Sequence, residues 1–298
     1  MPGPDGWNLN RAAKYYGHGL ALRPEHYART LQQVPEVDWV EMLTERFLQA
    51  RGGPHFEVLE GLRREMPVSL HGTMLSIGSV DPLNRTYLRD LKALIERVEP
   101  AWVSDHLAWS TFAGAELDLL PLPFTEEALQ HVVERVLFVQ EFLQRRILLE
   151  NPSSYLAFRD STMTEWQFLR AVAERADCGI LLDVNNVHVT ARNLGFDPIA
   201  YLDGLPADRI CQIHLAGHDD AGDLLFDTHE GPVPSCVWQL YREALRRFGG
   251  VSTIVEWDTG TVELEDIVAE TRRAAAVEEE VCDEARRDPD GAVRAHVW

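Results

Sequence analysis

The stretch Cys178-Gly179-Ile180-Leu181-Leu182-Asp183-Val184-Asn185-Asn186 decides how the chain is read. An unbroken apolar run ends abruptly in one carboxylate and two carboxamides. Buried parallel strands look like this when they deliver polar groups at their C-terminal ends. Asp183 and Asn186 are three residues apart, so both face one point only if the chain turns just past the strand. The same Asp-x-x-Asn spacing also serves as a helix N-cap. Whether other strands end in the same way decides between the two readings.

Seven further short apolar runs repeat the rhythm. The expected strands are residues 19–23, 39–43, 68–71, 102–106, 147–150, 180–183, 210–215 and 252–256. Amphipathic segments fall between them. Residues 125–145 place Leu129, Val132, Val136, Val139 and Phe142 on one side, and residues 165–176 do so with Phe168, Leu169 and Val172. Eight strands alternating with helices, with no break in composition, predict an α/β fold: a single (β/α)8 TIM barrel with its site at the C-terminal face of the strands. No Gly-x-Gly-x-x-Gly follows an early strand, which disfavours a doubly wound sheet. The stretches 78–84 and 113–124 are expected as long loops on the active face. The barrel domain is expected over 1–275, with a charged C-terminal tail over 276–298.

Composition narrows the classes. The 298 residues are 45% hydrophobic, which is ordinary for a sizeable globular core. Acidic residues number 48 against 28 basic, for a net charge of −20, and such a surface repels a phosphate backbone. Nucleic acid is therefore not an expected partner. No apolar run reaches the roughly 18 residues of a membrane span, so no membrane association is expected. Residues 1–7 lack a basic segment followed by an apolar one, and no signal peptide is expected. Cys178, Cys211, Cys236 and Cys282 form no Cys-x-x-Cys, and Cys178 and Cys211 read as small buried hydrophobes. A reduced, cytoplasmic setting fits this usage.

The polar residues fall where the strands end. The third run ends in His71-Gly72, the fourth in Ser104-Asp105-His106 and the fifth in Glu150-Asn151. The sixth gives Asp183 and Asn186; the seventh gives His214, with His218 four residues on; the eighth gives Glu256 and then Asp258. Asp227 and His229 lie between the last two. Neighbouring strand ends in a closed barrel are only about 5 Å apart, so these groups converge on one volume. Converging carboxylates repel one another and lose hydration unless cations balance them. Imidazoles and carboxylates without thiolates select borderline to hard metals such as iron, manganese or zinc. Two or three ions bridged by a carboxylate fit so many donors better than one, and Glu150 is the natural bridge.

The outer candidates stay open. Glu41 and Glu45 serve either as ligands, as carboxylates holding an imidazole, or as acids at a helix N-terminus. Arg23 either anchors a substrate carboxylate or balances Glu41 or Glu45. His188 and His218 divide evenly between supporting the centre and loop positions, and His55 and His131 read as surface residues. Trp109 and Tyr155 are either substrate walls or barrel packing.

The order His71, His106, Glu150, Asp183, Asn186, His214, Asp227, His229, Glu256 resembles that of the xylose-isomerase-like barrel superfamily. The apurinic endonucleases of that superfamily carry histidine at the position of Asn186. The wording is closer to the multinuclear non-haem iron-dependent oxidative enzymes, the methanobactin-oxidase-like family. The phrases that match are Ser69-Leu-His-Gly72, Trp102-Val-Ser-Asp-His-Leu-Ala-Trp-Ser110, Asp118-Leu-Leu-Pro-Leu-Pro123, Leu149-Glu-Asn-Pro-Ser-Ser-Tyr155, Leu182-Asp-Val-Asn-Asn186, His214-Leu-Ala-Gly-His218, Asp227-Thr-His229 and Glu256-Trp-Asp258. The chain departs from the family at Arg46, where asparagine is expected, and at His188, where tyrosine is usual.

The resemblance implies an enzyme holding two or three irons of mixed Fe2+/Fe3+ state, with O2 as co-substrate. The nine positions would be the metal ligands, with Asp183, Asn186 and His214 at the reacting face. Arg23, Glu41, Glu45, Asp105, His188, His218 and Asp258 would contact substrate or support the ligands. It also implies a Cys-containing, ribosomally made precursor peptide as substrate, and a small leader-binding partner protein. The alternatives are a di- or trinuclear hydrolase or isomerase, and a non-catalytic metal-loaded peptide scaffold.

Overall fold

The computed structural model describes residues 14–48, 52–258 and 262–287. The expectations placed on residues 1–7 and on the end of the chain after residue 287 lie outside them. Eight strands close a barrel in strict sequence order: β1 (His18–Ala21), β2 (Trp39–Leu43), β3 (Val68–Gly72), β4 (Val103–His106), β5 (Leu148–Glu150), β6 (Gly179–Asp183), β7 (Ile210–Ala216) and β8 (Ser252–Glu256). Every neighbouring pair, including β1 with β8, is parallel. The fold is a (β/α)8 TIM barrel.

The strand alternation sorts the core. Val40 and Met42 of β2, Leu70 of β3, Ile180 and Leu182 of β6, and Ile213 and Leu215 of β7 join one apolar cluster with the helices. The residues between them fill the barrel in layers. The lowest layer is apolar: Ala21, Trp39 and Ile254 on one side, Leu148, Leu181 and Cys211 on the other, with Trp102 packed against both. Two residues further along, at Glu41, Glu150, Asp183 and Glu256, the layer turns polar, and a register shift beside β7 brings His214 in three residues after Cys211. The register then sets His106 beside Glu150 and Asp183 beside His214.

Two expectations change. The loop expected over 113–124 begins inside a β-hairpin, Trp109–Phe112 paired with Ala115–Leu120. Its two turn residues, Ala113 and Gly114, have φ of 51° and 80°. Two left-handed residues make the tight connection that matches strand twist, but alanine seldom occupies the first, so the usual Asn-Gly signal was missing. The second change is at the C-terminal end. The last helix, Leu264–Arg287, runs well past residue 275 and buries Ala274, Val277 and Val281. Its Glu278 meets His18 Nε2 and accepts from the Tyr15 hydroxyl, each at 3.2 Å. Val277→Asp would bury an unpaired carboxylate there. It is expected to lower stability by about 2–3 kcal/mol in urea unfolding; an unchanged midpoint would show that this part of the helix contributes nothing to the barrel.

Candidate metal centre

The polar layer begins with Glu41. Its carboxylate is buried and accepts from the Ser69 hydroxyl at 2.7 Å and from Gln212 Nε2 at 2.6 Å. Glu41 Oε1 also lies 3.0 Å from His214 Nε2. That contact occupies one ring nitrogen and turns the other, Nδ1, upward, 3.6 Å from Glu150 Oε1 and 3.4 Å from Glu256 Oε2. Glu41 therefore orients His214 from below, as carboxylates behind metal-bound imidazoles do. Glu41→Gln should keep the barrel folded and weaken metal binding about 10–100-fold, in the usual range for such supports. Chelator competition on the purified variant measures it, and unaltered affinity would mean that packing alone holds the ring.

Two more imidazoles are fixed in the same way. His106 Nδ1 lies 3.1 Å from the Gly72 carbonyl, which only accepts, so this nitrogen carries the proton. His71 Nδ1 bonds the Ser104 hydroxyl at 2.8 Å. Both rings turn Nε2 onto Glu150 Oε2, at 3.1 Å from His71 and 3.2 Å from His106. Burial lowers the pKa of His106 and so favours its neutral form. A neutral His106 with Nδ1 protonated then aims a lone pair at a carboxylate oxygen, and a cation between them resolves the repulsion.

Asp183 makes the capping turn with one oxygen and keeps the other apart from it. Its Oδ1 accepts the Asn186 backbone N–H at 2.6 Å and caps the helix Val184–Leu194. Its Oδ2 is buried with no hydrogen-bond partner. Asn186 is similar: Nδ2 donates to the Asn151 carbonyl at 3.1 Å, while Oδ1 is buried and unpartnered. Asn151 locks the β5 and β6 ends together, accepting from Asp183 N–H and donating to the Asp183 carbonyl, both at 3.0 Å.

Asp227 and His229 arrive from the segment after β7. The Asp227 N–H donates to the Tyr155 hydroxyl at 3.0 Å, and Asn185 Nδ2 donates to Asp227 Oδ1 at 2.8 Å. His229, at φ 53°, is held by its N–H to the Gly217 carbonyl and by its carbonyl accepting from Asp258 N–H. Its ring lies 2.8 Å from Asp227 Oδ1 and 3.4 Å from Glu256 Oε2. Arg23 pairs with Asp258 and lies 3.5 Å from Glu256, in place of the expected balance with Glu41 or Glu45.

These donors form overlapping triads whose ligand atoms all lie within 4.8 Å of one another: His71/His106/Glu150, Glu150/Asp183/His214 and Asp183/His229/Glu256. Donors around one ion at bond lengths of about 2.0–2.2 Å span at most about 4.4 Å, so each triad is within a few tenths of an ångström of the reach of one ion. Glu150 and Asp183 each belong to two triads, which suits bridging. A fourth, Glu41/His214/Glu256, is already tied by the hydrogen bonds below His214. The residues fit a multinuclear metal group.

The charges of the metal-free cluster agree. Burial pushes the Glu150 carboxyl up, but His106, His214 and His71 outweigh it and hold it well below the usual range. Burial pulls His71 down, yet Glu150 and Glu41 lift it to about 9. Asp183 moves the other way: burial, Glu150 and Asp227 push it well above the carboxylate range.

Four outer candidates do not reach the cluster. Glu45 accepts from Tyr87 OH at 2.7 Å and from Thr73 N–H at 3.0 Å, on the helix side of β3. Asp105 alternates outward from His106, accepts from Leu75 N–H at 3.0 Å, and is raised to about 7 by burial and by Glu45. His218 bonds Asn185 at 2.7 Å, one residue removed from Asp227, and His188 stacks on His218. Ring stacking places Tyr155 against Phe226, and Trp109 bonds within its own hairpin. His131 is half-buried on the Ser79 carbonyl, and His55 packs edge-on against Tyr27. Sequence reading passed over Ser69, Ser104, Gln212, Asn151 and Asn185. The first three sit two residues before His71, His106 and His214, so strand alternation was the available signal.

The family model described as "RiPP precursor modification enzyme MbnB/TglH/ChrH" matches residues 17–279. The chain belongs to this family. Its members modify ribosomally synthesised peptide precursors, so a peptide-modifying enzyme is the coarse functional class. A UPF0276 protein of Anaeromyxobacter sp. is 60% identical over 263 residues, covering 88% of this chain and 93% of the relative. One from Acaryochloris marina is 51% identical over 259 residues, covering 87% and 93%. Among solved structures, endonuclease IV from Thermus thermophilus superposes with a TM-score of 0.58 at 16% identity, covering 91% of this chain and 100% of that one. A D-psicose 3-epimerase from Clostridium cellulolyticum gives 0.57 at 11%, covering 89% and 99%. These likenesses show the shared barrel. Among the described residues, no helix is long and apolar enough to cross a membrane.

Proposed function

We propose that this family member is a cytoplasmic, multinuclear iron enzyme that uses O2 to oxidise residues, cysteine first, of a ribosomally made precursor peptide, recruited with a small leader-binding protein. The observation that carries the reading is the set of overlapping triads sharing Glu150 and Asp183, with the unpartnered Asn186 oxygen beside them. His71, His106, Glu150, Asp183, Asn186, His214, Asp227, His229 and Glu256 would hold the irons. Once bound, these would supply electron transfer to O2 and a positive site for the substrate thiolate.

The chain's own residues set the conditions for that chemistry. Glu41, Ser104 and the Gly72 carbonyl fix three imidazoles so that each offers one defined nitrogen. Arg23 offsets the charge of Glu256 and Asp258 at the rim. Tyr155 is 41% exposed and Phe226 42%, and they stack beside Asp227, offering apolar surface to a peptide. A phosphodiester would instead want basic groups there, which suits the −20 chain poorly.

The test is anaerobic incubation of reduced, iron-loaded enzyme with its peptide. No mass change without O2 and a change on its admission are expected; product formed without O2 would sink the proposal, and full activity of a zinc-only enzyme would remove iron from it. Asn186→His is the sharper variant. It replaces a weak carboxamide donor by imidazole, and is expected to tighten metal binding at one position while lowering O2-dependent turnover at least about tenfold, a loss of roughly 1.4 kcal/mol in the barrier. Unchanged oxidation would reduce Asn186 to part of the capping turn.

A further inference from the structure

Outside the central cluster, two imidazoles and one thiol converge. His188 lies on the helix Val184–Leu194, His218 on the segment after β7, and Cys236 in the first turn of the helix Ser235–Phe248. One ligand atom from each lies within 4.8 Å of the other two. The two rings stack at 5.2 Å between centroids and 27° between planes. All three are partly buried.

Hydrogen bonding has already chosen the His218 nitrogen. Asn185 is fully buried, and its Nδ2 faces two acceptors, Asp227 Oδ1 at 2.8 Å and the Gly217 carbonyl at 3.4 Å. The amide orientation is therefore fixed, and Asn185 Oδ1 must accept from His218 Nδ1 at 2.7 Å. That leaves the His218 proton on Nδ1 and the lone pair on Nε2, the tautomer of a metal-bound histidine whose other nitrogen is anchored. Burial raises the Cys236 thiol pKa while the backbone N–H groups of the first helical turn pull it back, so the thiolate would form as a bound ion displaces the proton.

We propose that His188, His218 and Cys236 form a second metal site, separate from the central cluster, taking one zinc-class divalent ion through two imidazoles and a thiolate. Its donors differ in kind from the thiol-free central set: two nitrogens and one sulfur select zinc-like ions, with a fourth tetrahedral position left for water. The site joins the helix after β6 to two parts of the barrel rim that follow β7. Its ion clips the helix after β6 and the helix before β8 to the segment that carries Asp227 and His229, and Asn185 links His218 to Asp227.

Cobalt reads the site without reference to catalysis. Full-length metal-free protein titrated with Co2+ should develop a near-ultraviolet thiolate-to-cobalt absorption, which the central cluster has no sulfur to produce. The band should vanish in Cys236→Ser and in His188→Phe and persist in Cys282→Ser, with circular dichroism of all three matching the parent. Zn2+ should also raise the Tm of the parent above that of Cys236→Ser at the same zinc concentration. No band in the parent at saturating Co2+, or a band that survives Cys236→Ser, would overturn the site. A band lost only in Cys282→Ser would likewise overturn it.

Discussion

Glu150→Ala is expected to remove two metal positions together and to lower peptide modification by far more than the roughly 100-fold typical of losing an outer support. The reason is geometric. Glu150 Oε2 sits between His71 and His106, while Oε1 lies 3.6 Å from His214. The residue belongs to two of the three bridging triads, so no neighbouring carboxylate replaces it. Metal content by elemental analysis and turnover should fall together; full metal retention would show that Glu150 is only a counter-charge for the imidazoles.

The same carboxylate sets a pH dependence. In the metal-free chain His71 is lifted from 6.5 to about 9. Its protonated form therefore stabilises the metal-free fold fully below about pH 6.5, and that contribution is lost as pH rises through about 9. Metal held by His71 would displace this proton, so loading would release it, and His71 would contribute up to about tenfold per pH unit to the climb in apparent affinity between those two values. In Glu150→Ala the lift on His71 is largely gone and its share of the climb should be lost, while His214 and His229 keep theirs through Glu256, Glu41 and Asp227. Chelator competition across that range measures both; a flat profile in the parent would contradict the assignment.

Asp183 offers the second large effect, and its two oxygens separate two roles. In Asp183→Asn, a carboxamide oxygen still accepts the Asn186 N–H and the helix stays capped. The charged donor at Oδ2 is lost. Asp183→Ala loses both, at a further cost of about 1 kcal/mol for the cap. Both variants should be nearly inactive and metal-poor, whereas only alanine should weaken the helix. In the metal-free chain, burial, Glu150 and Asp227 raise the Asp183 carboxyl well above its unfolded value, so its ionisation destabilises the fold as pH rises past that unfolded value. Asp183→Asn relieves this strain and should be at least as stable as the parent when metal-free. An active Asp183→Asn would leave Asp183 as a cap alone.

Legibility differed by kind of residue. The strand ends were readable because each apolar run stops at a residue whose chemistry does not suit a core. The Trp109–Leu120 hairpin was not, since its turn uses Ala113-Gly114 in place of a recognisable pair. The helix beyond residue 275 was hidden by its acidic outer face, although Ala274, Val277 and Val281 keep helical spacing. Glu45 and Asp105 drew attention as strand-end acids, yet both face helices, because Asp105 alternates with His106.

By itself, the sequence determined the barrel, the order of its strands and the set of residues gathered at their C-terminal ends, because alternation and helical periodicity are local properties of the chain. The tertiary structure alone decided what each atom faces: which nitrogen of His214 turns to Glu150, and which oxygen of Asp183 is left after the cap is made. Those choices depend on partners far apart in the chain, as with Glu41 and Gln212 at 2.6 Å across a separation of 171 residues. The pairing of His188 and His218 with Cys236 has the same origin, since no spacing along the chain announces a contact made only when neighbouring barrel units pack.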